Sequence, residues 1–561
     1  MLKKKVLPVG KSDFRIVRES EIENYYVDKS LMIKDFIEED KVVTLVTRPR
    51  RFGKTLNMTM LREFFDATGD SQGIFEGLSI MATEYVEQMN TRPVVFLTLK
   101  GCAGKTVEAL EEAVAEVLHG EYKKYGRYLA SVDKEDTRYE RFFRVLEILA
   151  HDDESISKKE HIQNNLDYIQ NSLAYLLEAL YTFYGTRPIL LIDEYDNPII
   201  EAHNGGFRES FTTFYSSFLT KALKDNPHLG QAFLTGIQRV AKESIFSKLN
   251  NAVVYTVLDE KYSPYFGLTT AETRILLEHY GHELNEEVTN FYDGYLFGEI
   301  EMYNPWSILN YADNGIMKNY WVNVSTNQLI HQSIKSTSYD FYQAFEKLII
   351  NEKVTTRVNL EAAFVELEET ETLWGLFVNA GYLTVTDVNY RLGRMTLKIP
   401  NEEIHSEFVK LVSTYTKVSI NGLTDLLVSL MDGEMDEFLK IYQRLVLDST
   451  SYYDSKENAY HMLFLGMVMN LRELYDIKSN IEQGYGRTDI VMISKSPERP
   501  NIIIEFKQGE DVDNLKLEAL KQIHAQQYYA GLTGEIMCLG IAHNKKVVRI
   551  AQERIFISEE K

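Results

Sequence analysis

The sequence predicts an α/β protein of several domains, with a parallel β-sheet in its first half and a second, smaller α/β domain at its end. Its 561 residues are too many for one hydrophobic core, at about 100–200 residues per domain. Over residues 1–260, short apolar runs alternate with helical patterns, as expected for parallel strands buried on both faces and joined by helices. The runs are VVTLV (42–46), VVFLTL (94–99), ILLID (189–193), AFLTGI (232–237) and AVVYTV (252–257).

The rest of the chain is predicted to form three further domains. Residues 261–335 look helical and rich in Tyr and Asn, which predicts a helical lid. Residues 336–430 combine helices with two short strands around a turn at Asn389–Gly393, which favours a winged-helix-like unit used either for DNA contact or for packing. Residues 431–561 follow the order helix, strand, strand, helix, strand, typical of a small α/β domain. Its predicted strands are DIVMIS (489–494), NIIIEF (501–506) and EIMCLGIAH (535–543).

The composition excludes several classes of protein. With 44% hydrophobic and 26% charged residues, the chain has the composition of a folded protein, not a disordered one. No run of about 18 apolar residues occurs, so no membrane span is expected, and the N-terminal lysines lack the apolar stretch of a signal peptide. Two cysteines, Cys102 and Cys538, exclude a disulfide framework and favour the cytoplasm. A net charge of −22 argues against indiscriminate nucleic-acid binding but permits a local basic groove.

Three segments carry the sequence G-K-[ST], and only one has the context of a phosphate-binding loop. Gly10-Lys11-Ser12 has no strand before it, and Gly104-Lys105-Thr106 follows its strand too closely to wrap a phosphate. The third segment, RPRRFGKT (48–55), lies directly between a strand and a helix, as such a loop requires.

The third segment predicts an ATP site with Mg²⁺. Lys54 would reach the β- and γ-phosphates, Thr55 would hold Mg²⁺, and the helix N-terminus would offer free N–H groups. Arg48 stands where the usual pattern has Gly, so a basic turn without a ligand is the alternative. The predicted nucleotide contacts in this loop are Arg50, Arg51, Phe52, Gly53, Lys54, Thr55 and Leu56.

A second part of the nucleotide site is predicted at the end of the third strand, in RPILLIDEYDNP (187–198). Asp193 would complete the Mg²⁺ shell and Glu194 would activate the attacking water, although acidic loops after strands are common. The order of the motifs predicts a sheet in which an extra strand separates them. Thr235 ends the fourth strand near the predicted γ-phosphate position, and Arg239 follows as a candidate phosphate contact or a purely structural residue.

The C-terminal domain supplies a second set of carboxylates. Asp489 is predicted at the start of one strand, and Glu505 and Lys507 share one face of the next, because side chains alternate along a strand. Asp489 and Glu505 are hard oxygen ligands suited to Mg²⁺ or Mn²⁺, and Lys507 could stabilise developing negative charge. Glu457, at the start of helix 457–468, could reach the same metal. Such a pattern also arises by chance, but two charges in an apolar strand are costly unless they are paired or bind metal.

The first part of the chain resembles the predicted AAA-ATPase-like family of bacterial proteins over about residues 5–330. This resemblance implies a P-loop core with a helical lid and ATP as ligand, and Arg at position 48 belongs to that family's own loop. The segments that carry it are RPRRFGKT, IDEYDNP, LTGIQRVAKESIFSKLNN (234–251), FYDGYLFG (291–298), YNPWSILNY (303–311) and YWVNVSTN (320–327).

The last part resembles the PD-(D/E)XK nuclease domain, with a restriction-endonuclease-like α/β fold, that is commonly fused to this ATPase-like family. The resemblance implies DNA or RNA as substrate, and it is carried by ENAYH, SNIEQGYGRTDI, IIEFKQ and LKQIHAQQYY. By the resemblance, Glu457, Asp489, Glu505 and Lys507 match catalytic positions and Gln522 matches an accessory position. His461 is expected to pack near the metal-binding helix without binding the metal.

The sequence therefore predicts an ATP-regulated, metal-dependent nuclease acting on DNA or RNA. The main alternative is a nucleotide-dependent switch that binds protein or nucleic-acid partners without cleaving them. A third possibility is an ATPase that remodels another protein. The sequence leaves the oligomeric state open.

Overall fold

The protein divides into two compact units, described here from a computed structural model. The first comprises Met1–Ile330 and Thr356–Glu403, and the second comprises His331–Thr355 and Ile404–Lys561. This division into two units does not test the four predicted domains, which stay a prediction. The structure describes residues 5–133, 136–151, 156–239, 251–321, 339–350, 352–361, 369–415, 420–448 and 457–558.

The core of the first unit is a parallel sheet of five strands in the order β2-β3-β4-β1-β5. All five predicted strands are confirmed within one or two residues, and β1, β3 and β4 are buried along their whole length. Because β4 lies between β1 and β3, the predicted extra strand between the two motifs is also confirmed. The strands are β1 Val43–Thr47, β2 Val94–Thr98, β3 Ile189–Asp193, β4 Gln231–Gly236 and β5 Ala252–Tyr255.

Helices connect these strands. The predicted helix at 107–124 is Val107–Tyr128, and the predicted helix at 162–184 is two helices that meet at Asn165. The α-helices of this part are Phe14–Arg18, Leu31–Glu39, Lys54–Phe65, Gln72–Phe75, Val107–Tyr128, Glu140–Ala150, Lys158–Asn164, Leu166–Tyr184, Asn197–Asn204 and Arg208–Leu223.

The region predicted as a helical lid contains a small sheet as well as helices. Strands β6 Leu268–Thr269, β7 Tyr295–Phe297 and β8 Ile300–Tyr303 pair antiparallel in the order β6-β8-β7. The sequence did not reveal these strands, because strands of two to four residues are too short to show an alternating pattern. The helices are Thr270–Tyr280, Glu286–Tyr292 and Pro305–Asn314.

A hairpin follows later in the same unit, after the helix Thr370–Ala380. Its strands β10 (Thr384–Asn389) and β11 (Arg394–Lys398) pair antiparallel, which confirms the predicted turn between them. Gly393 has a φ of +61° in this turn, a backbone conformation that favours glycine. The short strand β9 is Val354–Arg357.

The second unit has a mixed sheet of five strands in the order β12-β13-β14-β15-β16, in which only β14 and β15 run parallel. The strands are β12 Tyr475–Gln483, β13 Gly486–Ser494, β14 Asn501–Gln508, β15 Gly534–Asn544 and β16 Val547–Ile557. The three predicted strands correspond to β13, β14 and β15, whereas the edge strands β12 and β16 were not predicted. Helices of this part of the chain are Tyr339–Ile349, Glu402–Tyr415, Ile420–Asp432, Met435–Asp448, Glu457–Val468 and Val512–Ala525.

Within the described residues, none of the helices combines the length and the apolar character that crossing a bilayer requires.

Candidate functional site

The loop between β1 and the helix Lys54–Phe65 closes around its own lysine. Lys54 is 5% exposed, and its ammonium donates hydrogen bonds of 2.9 Å to the carbonyl oxygens of Arg48 and Pro49. Gly53 has a φ of +82° and caps the helix, which a residue with a Cβ adopts only with strain. A phosphate group bound in this loop would take the place of the two carbonyls as acceptor for Lys54.

Arg48, at the position where the usual loop has glycine, is a structural residue. Its guanidinium is buried and donates to the carbonyl of Thr47 at 2.8 Å and to the hydroxyl of Ser263 at 3.1 Å. It also lies over the ring of Phe297, 5.1 Å from the centroid. Burial lowers the pKa of Arg48 to about 9, and the Asp259 carboxylate opposes this shift. The side chain therefore joins the end of β1 to later parts of the unit and does not face a phosphate.

The other predicted loop contacts separate into different environments. Phe52 is buried and packs against Tyr295 and Phe297, with ring centroids 4.9 and 5.0 Å away, so its ring belongs to an aromatic core beside the loop. Arg51 donates to the carbonyl of Tyr320 at 2.9 Å and lies over Trp306. Arg50 is half-buried at the start of the loop.

The acidic end of β3 is hydrogen-bonded to two threonines. The Thr55 hydroxyl donates to Asp193 Oδ2 and the Thr235 hydroxyl donates to Asp193 Oδ1, both at 2.7 Å. Asp193 is completely buried. The structure thus brings together three of the residues predicted for the Mg²⁺ and γ-phosphate region. Glu194 follows with a φ of +52°, a left-handed backbone conformation that costs a residue other than glycine about 1–3 kcal/mol.

Electrostatics links Glu194 to the loop lysine. Burial raises the pKa of Glu194, opposed by the Lys54 charge. Burial lowers the pKa of Lys54, opposed by Glu194, Asp193 and Asp196. A buried cation surrounded by carboxylates fits the binding of a Mg²⁺–triphosphate, in which the phosphates would neutralise the lysine and the metal would neutralise the acids.

Asp196 was missed by the sequence reasoning. It is 1% exposed and accepts hydrogen bonds of 2.9 Å from the backbone N–H groups of Ile237 and Gln238. It therefore fixes the chain immediately after β4. Asp196 lies two residues after Glu194 in the same acidic segment, and this position was the sequence signal that could have identified it.

Arg239 is held by a partner outside the predicted site. Its guanidinium forms an ion pair with Glu361, and burial lowers its pKa. No contact in the described part of the chain joins it to Lys54, Thr55 or Asp193, so its predicted phosphate contact stays a prediction. The adjoining residues 240–250 of LTGIQRVAKESIFSKLNN, and residues 322–327 of YWVNVSTN, lie outside the described residues.

The two rejected G-K-[ST] segments have other structural roles. Thr106 is the N-cap of helix Val107–Tyr128, and its hydroxyl accepts the N–H of Ala109. Lys11 donates to Asn24 at 3.0 Å.

A mostly apolar cleft adjoins the loop. Its lining includes Gly53, Leu56 and Asn57 from the loop and its helix, together with aromatic and proline side chains. These side chains are Pro8, Tyr25, Tyr26, Phe52, Tyr265 and Pro305. The sequence did not reveal this cleft, because its walls come from distant parts of the chain.

The second group of predicted residues lies on β13 and β14. The register of this antiparallel pair, with Ile490 opposite Ile504, puts Asp489 opposite Glu505. Asp489 Oδ2 accepts the N–H of Phe506 at 2.7 Å. Asp489 is the fourth residue of β13 and not the first as predicted, because the strand extends back to Gly486.

Glu505, Lys507 and Gln522 form a hydrogen-bonded cluster beside Asp489. Glu505 Oε1 accepts from Lys507 at 3.3 Å and from Gln522 at 2.5 Å. Gln522 lies on the helix Val512–Ala525 and also donates to the Tyr528 hydroxyl at 3.0 Å. Glu505 is 3% exposed, and its Oε2 has no hydrogen-bond partner among the described residues.

The carboxylates Asp489 and Glu505 fit a divalent cation. Burial, and then the Asp489 charge, raise the pKa of Glu505 to about 8, although Lys507 opposes the shift. Burial also raises the pKa of Asp489. Two buried carboxylates that resist ionisation side by side, one with an unpartnered oxygen, form a site that a cation would stabilise.

Asp489 and Glu505 supply two carboxylates, a number that suits Mg²⁺, which usually keeps several waters. Among the described side chains, no three His, Cys, Asp or Glu residues gather with metal-binding geometry. Glu457 begins the helix Glu457–Val468 as predicted, but its side chain lies outside the described residues, so its predicted metal contact stays a prediction.

Two further residues, His461 and Glu346, lie beside Asp489 or next to its neighbours. His461, on the helix Glu457–Val468, has Nδ1 3.8 Å from Asp489 Oδ1. Its Nε2 lies 3.3 Å from Glu346 Oε1 and 2.7 Å from the Ser479 hydroxyl. Glu346 was missed because it comes from a distant helix, Tyr339–Ile349, for which the sequence has no local signal.

Comparison with known proteins matches the two groups of site residues to two different families. Residues 8–246 match the family described as predicted AAA-ATPase, and residues 455–553 match the PD-(D/E)XK nuclease superfamily. The chain is also 26% identical over 416 residues to an "Uncharacterized protein in vnfD 5'region" of Azotobacter chroococcum mcd 1, covering 72% of this chain and 69% of that protein. These matches confirm the two resemblances that the sequence predicted, to the predicted AAA-ATPase family over residues 8–246 and to the PD-(D/E)XK nuclease superfamily over residues 455–553.

Proposed function

We propose that the protein is an ATP-regulated nuclease that cleaves phosphodiester bonds of DNA or RNA with Mg²⁺ or Mn²⁺. The observation that carries this proposal is the buried pair Asp489 and Glu505 with Lys507 beside it, in a chain that also holds a loop lysine next to buried acids. A cytoplasmic location is part of the proposal.

In the proposed nucleotide site, residues of the first unit would bind the phosphates, hold the Mg²⁺ and orient the attacking water. Lys54 would bind the β- and γ-phosphates, Thr55 and Asp193 would hold the Mg²⁺ shell, and Glu194 would orient the attacking water. The apolar cleft with its tyrosines and prolines adjoins the same loop, which supports its use for the purine base.

In the nuclease site, Asp489 and Glu505 would bind the divalent cation. The cation supplies a water of lowered pKa and polarises the scissile phosphate. Lys507, whose side chain is 27% exposed, lies at the mouth of the site and would stabilise the charge that develops on the phosphate. Gln522 holds the Glu505 carboxylate in place.

The first experiment measures cleavage of a panel of single- and double-stranded DNA and RNA, with Mg²⁺ or Mn²⁺, with and without ATP. Lys507→Ala should abolish cleavage, whereas Lys440→Ala, an exposed lysine of the same unit, should leave it unchanged. Cleavage that survives Lys507→Ala, or that needs no metal, would reject the proposed nuclease site.

The second experiment tests the nucleotide site by binding of a fluorescent ATP analogue. Lys54→Ala should weaken binding strongly, and Lys105→Ala provides a matched control because Lys105 is the exposed lysine of a G-K-T segment that caps a helix. Equal binding by both variants would argue against the proposed loop. If ATP binds but no substrate is cleaved, the partner-binding switch becomes the better hypothesis.

A further inference from the structure

A buried carboxylate from outside the nuclease-superfamily segment lies against the nuclease site. Glu346 is 8% exposed and belongs to the helix Tyr339–Ile349, more than a hundred residues before the segment 455–553 that matches the superfamily. Both parts of the chain belong to the second compact unit. A buried carboxylate is costly unless it is hydrogen-bonded, so its partners indicate its role.

Three polar groups converge on one oxygen of Glu346. Glu346 Oε1 accepts from the Ser479 hydroxyl and, at 2.6 Å, from the Asn480 amide. His461 Nε2 lies 3.3 Å from the same oxygen. These contacts give the buried carboxylate its hydrogen-bond partners and link it to the histidine ring.

The direction of these hydrogen bonds determines the role of His461 Nε2. Because the Ser479 hydroxyl donates to Glu346, the Ser479 oxygen is free to accept. It lies 2.7 Å from His461 Nε2. The hydrogen bond between them therefore uses an N–H on Nε2.

The opposite ring nitrogen faces the proposed metal site, because His461 Nδ1 lies 3.8 Å from Asp489 Oδ1. The ring is also held by packing, because it lies 5.6 Å from the ring of Phe506, the residue between Glu505 and Lys507.

We propose that Glu346 is a positioning residue of the nuclease site: with Ser479 it holds Nε2 of His461 and so directs the opposite ring nitrogen, Nδ1, towards Asp489 and the divalent cation. This inference rests on the proposed metal-binding role of Asp489. Partners of this kind hold a histidine in the required tautomer and orientation, and their removal typically reduces metal affinity or activity by about 10–100-fold.

The test uses the full-length protein and Mn²⁺ alone as the probe, with binding measured by isothermal titration calorimetry. Glu346→Gln keeps the shape of the side chain but removes its charge, and it should weaken Mn²⁺ binding by about tenfold. Glu352→Gln is the matched control, since Glu352 is exposed and belongs to the same segment of the second unit; it should bind Mn²⁺ like the parent.

A double-mutant cycle separates positioning from a general structural effect. If Glu346 acts through His461, then Glu346→Gln in a His461→Gln background should cause no further loss of Mn²⁺ affinity. Cleavage kinetics should show a lower kcat with an unchanged KM for the nucleic acid. ATP binding by the first unit and an unchanged thermal unfolding midpoint would show that the variants are folded.

Unchanged Mn²⁺ affinity in Glu346→Gln, losses that multiply in the double variant, or a parent protein that binds no Mn²⁺ would each overturn the inference. A parent that binds Mn²⁺ and loses affinity on Glu346→Gln, yet cleaves no substrate, would support the positioning role while rejecting the nuclease function.

Discussion

Replacing Glu505 by glutamine should stabilise the metal-free protein while abolishing cleavage. In the folded protein the pKa of Glu505 is raised from 4.5 to about 8 by burial and by the Asp489 charge. Between these two values the folded protein holds a proton that the unfolded chain has released. The free energy of unfolding therefore falls as the pH rises through this window, and the whole penalty is present above about pH 8.

The size of the penalty follows from the two pKa values. At 1.36 kcal/mol for each pKa unit, a rise from 4.5 to about 8 corresponds to an upper limit of about 5 kcal/mol. The side-chain amide introduced by Glu505→Gln would lack a partner where Glu505 Oε2 has none, which costs about 1–3 kcal/mol. We therefore expect a net stabilisation of about 2 kcal/mol at pH 9 and none at pH 4.5.

The assay is urea denaturation in EDTA, followed by two signals. All three tryptophans, Trp306, Trp321 and Trp374, belong to the first unit, so tryptophan fluorescence follows that unit, whereas circular dichroism follows both. The transition that is seen by circular dichroism but not by fluorescence reports unfolding of the second unit. In Glu505→Gln at pH 9, the midpoint of this transition should move to a higher urea concentration.

The control is Glu535→Gln, on the neighbouring strand β15, whose side chain is 44% exposed; it should change stability by less than about 0.5 kcal/mol. If Glu505→Gln is no more stable than the parent at pH 9, or if its effect is the same at pH 5 and pH 9, then the ionised carboxylate does not destabilise the fold. Saturating Mn²⁺ should stabilise the parent more than the variant.

Three further outcomes follow from buried groups. Phe52→Ala should lower the free energy of unfolding of the first unit by about 3–5 kcal/mol. This is measured by tryptophan fluorescence in urea. An effect below about 1 kcal/mol would contradict the place of Phe52 in the aromatic core. Asp196→Ala should lower the free energy of unfolding by about 1–3 kcal/mol, because it leaves the buried N–H groups of Ile237 and Gln238 without an acceptor. Hydrogen exchange at these two amides should accelerate. Unchanged exchange would exclude this role of Asp196. Burial lowers the pKa of His543 from 6.5 to about 3, so the unfolded chain binds the extra proton between these values and stability is lost as the pH falls below about 6.5. His543→Phe should flatten the acid side of the stability profile, and a profile identical to that of the parent would refute this assignment.

The nucleotide loop could be predicted from the sequence because its signals are local. A buried strand, a loop and a helix follow one another without interruption, and this order distinguished RPRRFGKT from two other G-K-[ST] segments. The sequence could not show that Arg48 is buried against Ser263 and Phe297, since these contacts join residues more than 200 positions apart.

The nuclease domain was predicted less completely for the same physical reason. The central strands β13 and β14 are apolar and were recognised, whereas β16 exposes most of its side chains, so its composition does not resemble that of a buried strand. Glu346 and Ser479 are 133 residues apart in sequence. A hydrogen bond over such a separation is specified by the tertiary fold and has no signature in either segment.

The interleaved course of the chain also limits how this protein can be divided or recombined. The first unit is interrupted after Ile330 and resumes at Thr356, and the second therefore includes the short stretch His331–Thr355. No single breakpoint in the gene separates the two units, and a fragment that starts at Ile404 would lack the helix that bears Glu346. Exchange of the second unit between related genes would need three coordinated crossovers, after Ile330, Thr355 and Glu403, which favours inheritance of both units as one block.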